Sequence, residues 1–139
     1  MIRDAVGRPS RSNRRRLPIP GDRRLLGQAR LSVSPFCLGM VADPRAVSAA
    51  FEAGVNFFFL TADLHWRGYE ASRRGLAQLL AKPGVRDDIV VAVTSYATQP
   101  AFCHAPFREV LDALPKLGRI DLTVIGGTYQ YDFSRRLVE

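Results

Sequence analysis

The chain has 139 residues, of which 47% are apolar and 24% are charged, and its formal net charge is +7. This length and composition are typical of one globular domain with enough apolar side chains for a core, and they exclude a disordered or fibrous protein. No apolar run approaches the roughly eighteen residues that a membrane-spanning helix needs, so we predict no membrane partner.

The positive charge is concentrated at the beginning of the chain. Eight of the 20 basic side chains lie in residues 1–24, against two acidic ones, so the rest of the chain is close to neutral. Residues 1–24 mix arginine with serine, glycine and proline, which predicts a disordered basic tail ahead of a folded domain at residues 25–139. Such a tail can bind nucleic acid or simply keep a protein soluble. We expect the second role and no nucleic-acid partner.

From residue 31 onward, short apolar runs alternate with segments of helical periodicity. The first run predicts a strand over residues 31–38. Asp43 followed by Pro44 is a typical helix start, and Gly54 is a typical helix end. We therefore expect a helix over residues 43–53.

The rest of the chain repeats this alternation. Further elements are predicted, in order, at residues 55–60 (strand), 70–81 (helix), 89–93 (strand), 107–117 (helix) and 120–125 (strand). Pro115 is expected to shorten or kink the last helix. Four strands alternating with three helices predict a parallel α/β layout with right-handed crossovers.

Several motifs resemble those of the aldo-keto reductases and occur in the same order. Residues 31–40 (LSVSPFCLGM) resemble the first barrel strand of that family. Residues 49–62 (AAFEAGVNFFFLTA) resemble its second strand, where Gly-Ile-Asn-x-Phe-Asp-Thr-Ala is typical. Residues 68–75 match the following Gly-Tyr-x-Glu helix loosely, and residues 87–94 and 120–125 resemble strands three and four. The resemblance implies a parallel (β/α) half barrel of TIM-barrel type with about four strands.

The same resemblance implies a carbonyl reductase in which a Tyr donates a proton and a Lys, an Asp and a His assist it. Other residues stand at the matching positions: Leu60 or Phe59 for the Asp, His65 or Leu64 for the Tyr, Ser95 for the Lys and Gly126 for the His. A tyrosine reaches a pKa near neutrality only beside a cation, and Leu60 and Ser95 neither supply nor hold one. The usual chemistry is therefore not expected.

The nucleotide site of the resembling family is also missing from the predicted elements. A closed barrel takes roughly 250 residues, and the loops after its seventh and eighth strands hold the nucleotide in that family. No Gly-x-Gly-x-x-Gly or Walker-type loop replaces them. We predict no cofactor-binding residues and no cofactor in this chain alone, and NADP(H) if another chain completes the barrel.

Barrel enzymes carry their chemistry in the loops at the carboxyl ends of the strands. Polar and aromatic residues follow predicted strands two, three and four, and such a set can line a pocket. These residues are Asp63, His65, Trp66 and Tyr69, then Ser95, Tyr96, Gln99, Cys103 and His104, then Gly126, Gly127, Thr128, Tyr129, Tyr131 and Asp132.

Asp63 and His65 are the candidate catalytic residues. Their spacing puts both side chains on one face of an extended segment, where the carboxylate can orient the imidazole as a general acid or base. The alternative is structural, with Asp63 capping the next helix and His65 packing beside Trp66. A metal ion would need a third ligand, either His104 or Cys103, and we predict no metal site.

The two cysteines, Cys37 and Cys103, lack the paired spacing of a zinc site. Their apolar neighbours predict buried free thiols of a cytoplasmic protein. Residues 14–16 are three arginines, but no apolar stretch follows them as in a twin-arginine signal. We therefore predict no targeting segment.

The sequence thus predicts an aldo-keto-reductase-like protein that acts as a non-catalytic or partner-dependent subunit. Open sheet edges and an apolar face predict a homodimer or a complex with a second protein chain. The alternative is an NAD(P)H-dependent oxidoreductase of that family, or a divergent enzyme using His65 and Asp63 on a small-molecule substrate. Either would be active only as an oligomer or as part of a longer chain. A third hypothesis is a nucleic-acid-binding module that uses the basic tail.

Overall fold

The structure, a computed structural model, describes residues 16–96 and 104–126. It begins with an antiparallel hairpin, in which β1 (Arg24–Leu26) pairs with β2 (Leu31–Val33). Gly27 and Arg30 adopt left-handed backbone conformations in the connection between the two strands. The sequence does not predict β1, because three residues that begin with an arginine show too little alternation to indicate a strand.

The predicted strand over residues 31–38 is wrong as one element. It divides into β2 and β3 (Cys37–Leu38), which pair with different strands. Pro35 has no backbone N–H to donate to a ladder, and the Ser34 hydroxyl donates a hydrogen bond to the carbonyl of Phe36 at 2.6 Å. The chain turns there, and each half pairs separately.

Four strands form a parallel sheet in sequential order. Next to β3 lies β4 (Phe57–Thr61), followed by β5 (Val90–Ser95) and β6 (Leu122–Ile125). The β4–β5 ladder runs without interruption from Phe57 opposite Val90 to Thr61 opposite Thr94. The prediction of a parallel α/β layout is confirmed, and the predicted strands over residues 55–60, 89–93 and 120–125 are present with boundaries shifted by one or two residues.

In the part of the chain that the structure describes, four α-helices connect the strands. They are α1 (Arg45–Glu52), α2 (Glu70–Leu80), the single turn α3 (Val85–Asp88) and α4 (Ala105–Ala113). The sequence does not predict α3, which follows the left-handed residue Gly84. The predicted helix over residues 107–117 ends early, and Pro115–Leu117 form a 3-10 turn. Pro115 explains this end, because it clashes with the preceding turn of a helix and lacks an N–H.

One face of the sheet packs with the helices into a single core. Phe58 and Leu60 of β4 and Val91 and Val93 of β5 are at most 3% exposed, and all four helices add side chains to the same cluster. Alternation along the strands sends their neighbours to the opposite face. There Cys37 is exposed, and Phe57, Phe59 and Leu122 are half-buried around the buried Ala92 and Thr94. The helices therefore share one face.

Asn56 joins three segments at the amino edge of the sheet. Its Oδ1 accepts a hydrogen bond from the backbone N–H of Ser34 at 2.7 Å, and its Nδ2 donates to the carbonyls of Ser32 and Asp88 at 3.0 and 3.2 Å. Asn56 is 6% exposed. Each bond therefore satisfies a polar atom that water reaches poorly.

Arg86 and Asp121 form a second polar connection at the same edge. Arg86 Nη2 donates to both carboxylate oxygens of Asp121 at 2.9 Å, and one of these oxygens also accepts the backbone N–H of Val91 at 2.9 Å. Arg86 donates further to the carbonyls of Leu117 and Ile89. The side chains are only 16% and 7% exposed. This ion pair ties α3 to the beginnings of β5 and β6.

Cys37 is exposed, so the prediction of a buried thiol is wrong at that position. The reason is its place on β3, which pairs only with β4 within the described residues, and on the sheet face that the helices do not cover. The other cysteine, Cys103, lies outside the described residues.

The predicted tail is described only from residue 16. Arg23 donates a hydrogen bond to the carbonyl of Gly54 at 2.9 Å, and β1 begins at Arg24, the last residue assigned to the tail. Residues 1–15, which carry most of its arginines, lie outside the described residues. None of the described helices combines the length and the hydropathy that crossing a bilayer requires.

Candidate functional site

A cavity of about 290 Å³ opens at the carboxyl ends of β4 and β5. The loop after β4, the end of β5 and the beginning of α4 form its walls. The loops that follow parallel strands converge at this edge, where barrels carry their chemistry. The lining residues are Ala62, Asp63, Leu64, His65, Ser95, Tyr96, Pro106 and Glu109.

Local hydrogen bonds shape the loop that carries both candidate catalytic residues. The Thr61 hydroxyl accepts the backbone N–H of Asp63 at 3.2 Å, and Asp63 Oδ1 accepts the backbone N–H of His65 at 3.0 Å. The carbonyl of Asp63 accepts the backbone N–H of Trp66 at 3.3 Å. Aspartate commonly bonds the backbone two residues ahead in this way and so fixes a turn.

The structure brings Asp63 and His65 to one cavity without pairing their side chains. Both residues are exposed, and within the described residues no hydrogen bond joins the carboxylate to the imidazole. The Asp63 carboxylate instead bonds the backbone of the turn, a structural role close to the alternative stated above. A catalytic role of the two side chains remains a prediction.

Arg73 of α2 holds the same loop from the other side. Its Nη2 donates to the carbonyl of Leu64 at 3.0 Å, while its Nη1 is buried and has no hydrogen-bond partner among the described residues. A guanidinium group with only one hydrogen bond is incompletely satisfied. The bond to Leu64 is nevertheless a direct connection between α2 and the loop that carries His65.

The four positions that match the reductase tetrad are dispersed. Leu60 is 2% exposed and packs in the helix-facing core, while Phe59, the other match for the Asp, points to the opposite face. His65 and Ser95 line the cavity together. The ladder between β4 and β5 has no bulge that would bring Leu60 to the cavity.

Gly126 stands where the family has a histidine. Its backbone N–H donates to the carbonyl of Ser95 at 2.8 Å. A Cβ atom at this position would lie 2.7 Å from Cε1 of Tyr96, which is closer than two carbon atoms can approach. Any side chain here would therefore displace the Tyr96 ring from the end of β6.

The other residues that the sequence suggests for the site lie either away from the cavity or outside the described residues. His104 precedes α4 and is exposed, but it is not part of the cavity wall. Between residues 16 and 96 and between 104 and 126, no group of three His, Cys, Asp or Glu side chains is placed to hold a metal ion. Outside the described residues lie Gln99, Cys103, Gly127, Thr128, Tyr129, Tyr131 and Asp132.

Sequence reasoning missed the contribution of α4 to the cavity. Pro106 and Glu109 line it from the first two turns of that helix. The signal was available, because a helix after a parallel strand begins near the carboxyl edge of the sheet. The position of Glu109 beside the cavity could not be predicted from the helical pattern. The apolar stripe shows only which side of the helix is buried, and Glu109 is exposed.

No protein-family model matches the chain, and no curated protein matches it either.

Proposed function

We propose that this chain is an aldo-keto-reductase-like half barrel of TIM-barrel type and acts as a non-catalytic or partner-dependent subunit in the cytoplasm. One observation carries the proposal: the parallel strands follow one another in sequential order, and the helices of the described residues all pack on one face of the sheet. Doubly wound sheets have helices on both faces, whereas a barrel has them only outside.

The partner we propose is a second copy of the chain. Within the described residues β3 pairs only with β4 and β6 only with β5, so each outer strand has an edge without a ladder. Open edges favour pairing with another chain. A two-fold rotation about the barrel axis would set β6 of each copy beside β3 of the other and give eight strands.

The residues at the tetrad positions support a non-catalytic role. Leu60 cannot ionise and lies in the core, and Gly126 has no side chain. The hydride donor of the family would need a nucleotide site that none of the described residues resembles. Any NADP(H) would therefore be bound by a completed barrel and not by the isolated chain.

The second candidate is a divergent enzyme that uses His65 and Asp63. The observation in its favour is that both side chains line the 290 Å³ cavity, with Glu109 as an additional carboxylate. His65 would then transfer a proton to a small-molecule substrate, since histidine is the side chain that most often acts as a general acid or base.

The test combines the mass of the purified chain in solution with a titration by NADPH that is followed by nicotinamide fluorescence. We expect a dimer, and the absence of nucleotide binding by that dimer would support the non-catalytic role. A well-folded monomer at high concentration would contradict the pairing. Saturable micromolar binding of NADPH by a dimer would contradict the non-catalytic role, and loss of turnover in His65→Ala would then assign the reaction to the second candidate.

A further inference from the structure

The two outer strands of the parallel sheet carry no side chain of the kind that protects a sheet edge. β3 consists of Cys37–Leu38 and β6 of Leu122–Ile125, and neither strand contains a charged residue or a proline. Proteins commonly place lysine or proline on outer strands, because an apolar edge pairs with other chains. Within the described residues each of these two strands has a neighbour on one side only. Both edges are therefore suited to a further strand.

The register of the sheet relates β6 to β3. Leu122 lies opposite Ala92, and Ala92 lies opposite Phe59. Phe59 is two residues beyond Phe57, which lies opposite Cys37. A line of paired residues that starts at Cys37 and crosses the sheet therefore reaches the chain of β6 two residues before Leu122.

Closure of a barrel fixes the register between its remaining strands. In a (β/α)₈ barrel, a line of paired residues that is followed once around returns to its first strand shifted by eight residues. The shift is towards the amino end, because the strands coil in a right-handed sense and their crossovers are right-handed. Two identical halves related by a two-fold axis each contribute half of it, four residues. The line through Cys37 therefore meets the second copy four residues before its own Cys37, which comes to lie opposite Val124.

We propose that two copies of the chain pair in one register, with Cys37 of one copy opposite Val124 of the other and Leu38 opposite Ile125. The inference rests on the proposed half barrel and its two-fold pairing, and it adds which residues meet. The two-fold axis forms this contact twice, so the open edge of β3 and the open edge of β6 are both covered in each copy.

The two faces of the strands agree with this register. Cys37 lies opposite Phe57 and Val124 lies opposite Thr94, so both point to the face that the described helices leave uncovered. Leu38 points the other way and packs against the helix-facing core. A shift by an odd number of residues would set Cys37 beside a side chain of the wrong face. The shift of four residues keeps the helices outside and turns the uncovered face towards the interior of the barrel.

The same register brings together two large side chains that are exposed in the single chain. Beyond Leu38, the second copy continues beside Gly126, where a Cβ atom would lie 2.7 Å from Cε1 of Tyr96. Tyr96 is 66% exposed, and Met40, which follows β3, is 60% exposed. Tyr96 also lines the 290 Å³ cavity at the carboxyl edge. Met40 of the second copy would therefore add an apolar group to the wall of that cavity.

Disulfide formation tests the register, because neighbouring strands lie about 4.8 Å apart and a disulfide joins Cα atoms about 4.4–6.8 Å apart. Val124→Cys is introduced into the full chain with Cys103→Ser, so that Cys37 is the only other thiol. Within one copy β4 and β5 separate the two cysteines, so a bond between them joins two copies. Thr123→Cys is the matched control, because Thr123 is on the same strand and points to the opposite face.

Both variants are treated with oxidised glutathione, and the covalent dimer is measured on non-reducing gels. We expect Val124→Cys to give about tenfold more covalent dimer than Thr123→Cys. Circular dichroism shows whether each variant is folded. If Val124→Cys unfolds, the combination of Leu38→Cys and Ile125→Cys, with Cys37→Ser and Cys103→Ser, tests the same register from the helix-facing side and should also form the covalent dimer.

The mass of each reduced variant, measured by light scattering, separates failure of the register from failure of the pairing. A dimer that forms the disulfide selectively through Val124→Cys supports the register. A dimer in which Thr123→Cys reacts equally well, or in which neither variant reacts, would overturn the register and leave the homodimer of the proposed function intact. A monomer at high concentration would overturn both.

Discussion

The two edges of the parallel sheet are built in different ways. At the amino edge, the side chains of Asn56, Arg86 and Asp121 are largely removed from solvent. Asn56 and Arg86 each bond several backbone groups, and Asp121 bonds both Arg86 and the N–H of Val91. At the carboxyl edge, the loop after β4 is shaped by short-range bonds of Asp63 and by one bond from Arg73. Large side chains are exposed there, namely Met40, Trp66 and Tyr96.

This difference separates stability from binding within one small sheet. Buried polar groups that make several bonds are costly to disrupt, because removing one leaves its partners unsatisfied. Substitutions in exposed aromatic groups and in loops held by few bonds change the free energy of unfolding little, and ligands can reach these groups. Barrel folds show the same division, with stability at the amino edge and chemistry at the carboxyl edge. Substitutions at the two edges should therefore have effects of different size.

The largest effect is expected for Asp121→Ala. The substitution leaves the guanidinium of Arg86, which is 16% exposed, without its carboxylate. Breaking a buried ion pair from one side typically lowers the free energy of unfolding by about 3–5 kcal/mol. Urea denaturation followed by circular dichroism measures the loss. Asp112→Ala, which removes an exposed aspartate on α4, is the matched control and should change the free energy by less than about 0.5 kcal/mol. Equal losses of free energy for Asp121→Ala and Asp112→Ala would show that the ion pair does not stabilise the amino edge.

A smaller loss is expected for Asn56→Ala. The side chain makes three hydrogen bonds, to the N–H of Ser34 and the carbonyls of Ser32 and Asp88. Each neutral bond contributes about 1 kcal/mol, so the free energy of unfolding should fall by about 2–3 kcal/mol. The same denaturation experiment measures it. If Asn56→Ala lowered the free energy of unfolding less than Asp63→Ala at the carboxyl edge, the amino edge would not depend on the hydrogen bonds of Asn56.

The sequence predicts the parallel sheet well because the strands are buried and locally distinct. The run from Phe57 to Leu60 and the run from Val90 to Val93 are apolar enough to indicate strands covered on both sides, and helical periodicity separates them. The prediction of a single first strand is wrong because β3 has only two residues, its place depends on pairing with β4, and Pro35 interrupts the run. Register and partner choice are tertiary properties that a single run does not encode.

The candidate site was only partly predictable. The position of Asp63 and His65 after a parallel strand places them at the carboxyl edge, and the cavity confirms that place. Which group the Asp63 carboxylate bonds could not be read from a spacing of two, because the same spacing allows a turn or a side-chain pair. The contacts of Tyr69 with Phe59 and Trp66 depend on tertiary packing, which the sequence does not specify.

The carboxyl edge should tolerate substitution. Asp63→Ala removes one bond in an exposed turn and should lower the free energy of unfolding by about 0.5–1 kcal/mol. His65→Ala should change it by less than about 0.5 kcal/mol, since no hydrogen bond of the imidazole is present within the described residues. Thermal melts of the two variants beside the wild-type chain check this order. A loss above about 2 kcal/mol for His65→Ala would mean that the residue is structural.

The last and smallest effect concerns the thiol of Cys37, at the amino end of the sheet. Burial raises its pKa from the ordinary 9.0 to about 11, although the residue as a whole is exposed. The folded chain therefore holds the thiol proton more tightly than the unfolded chain. The resulting stabilisation is present below pH 9 and is lost as the pH rises towards 11.

Alkylation by iodoacetamide measures this difference directly, because the thiolate is the reacting form. A Cys103→Ser background leaves Cys37 as the only thiol. A pKa higher by two units would lower the thiolate fraction at pH 8 about a hundredfold, and the exposure of the residue reduces the shift. We therefore expect the folded chain to react about tenfold more slowly at pH 8 than the chain unfolded in urea, with the two rates converging above pH 11. Equal rates at pH 8 would mean that the open face of the sheet does not shield the thiol, and that this part of the amino edge is as accessible as the carboxyl edge.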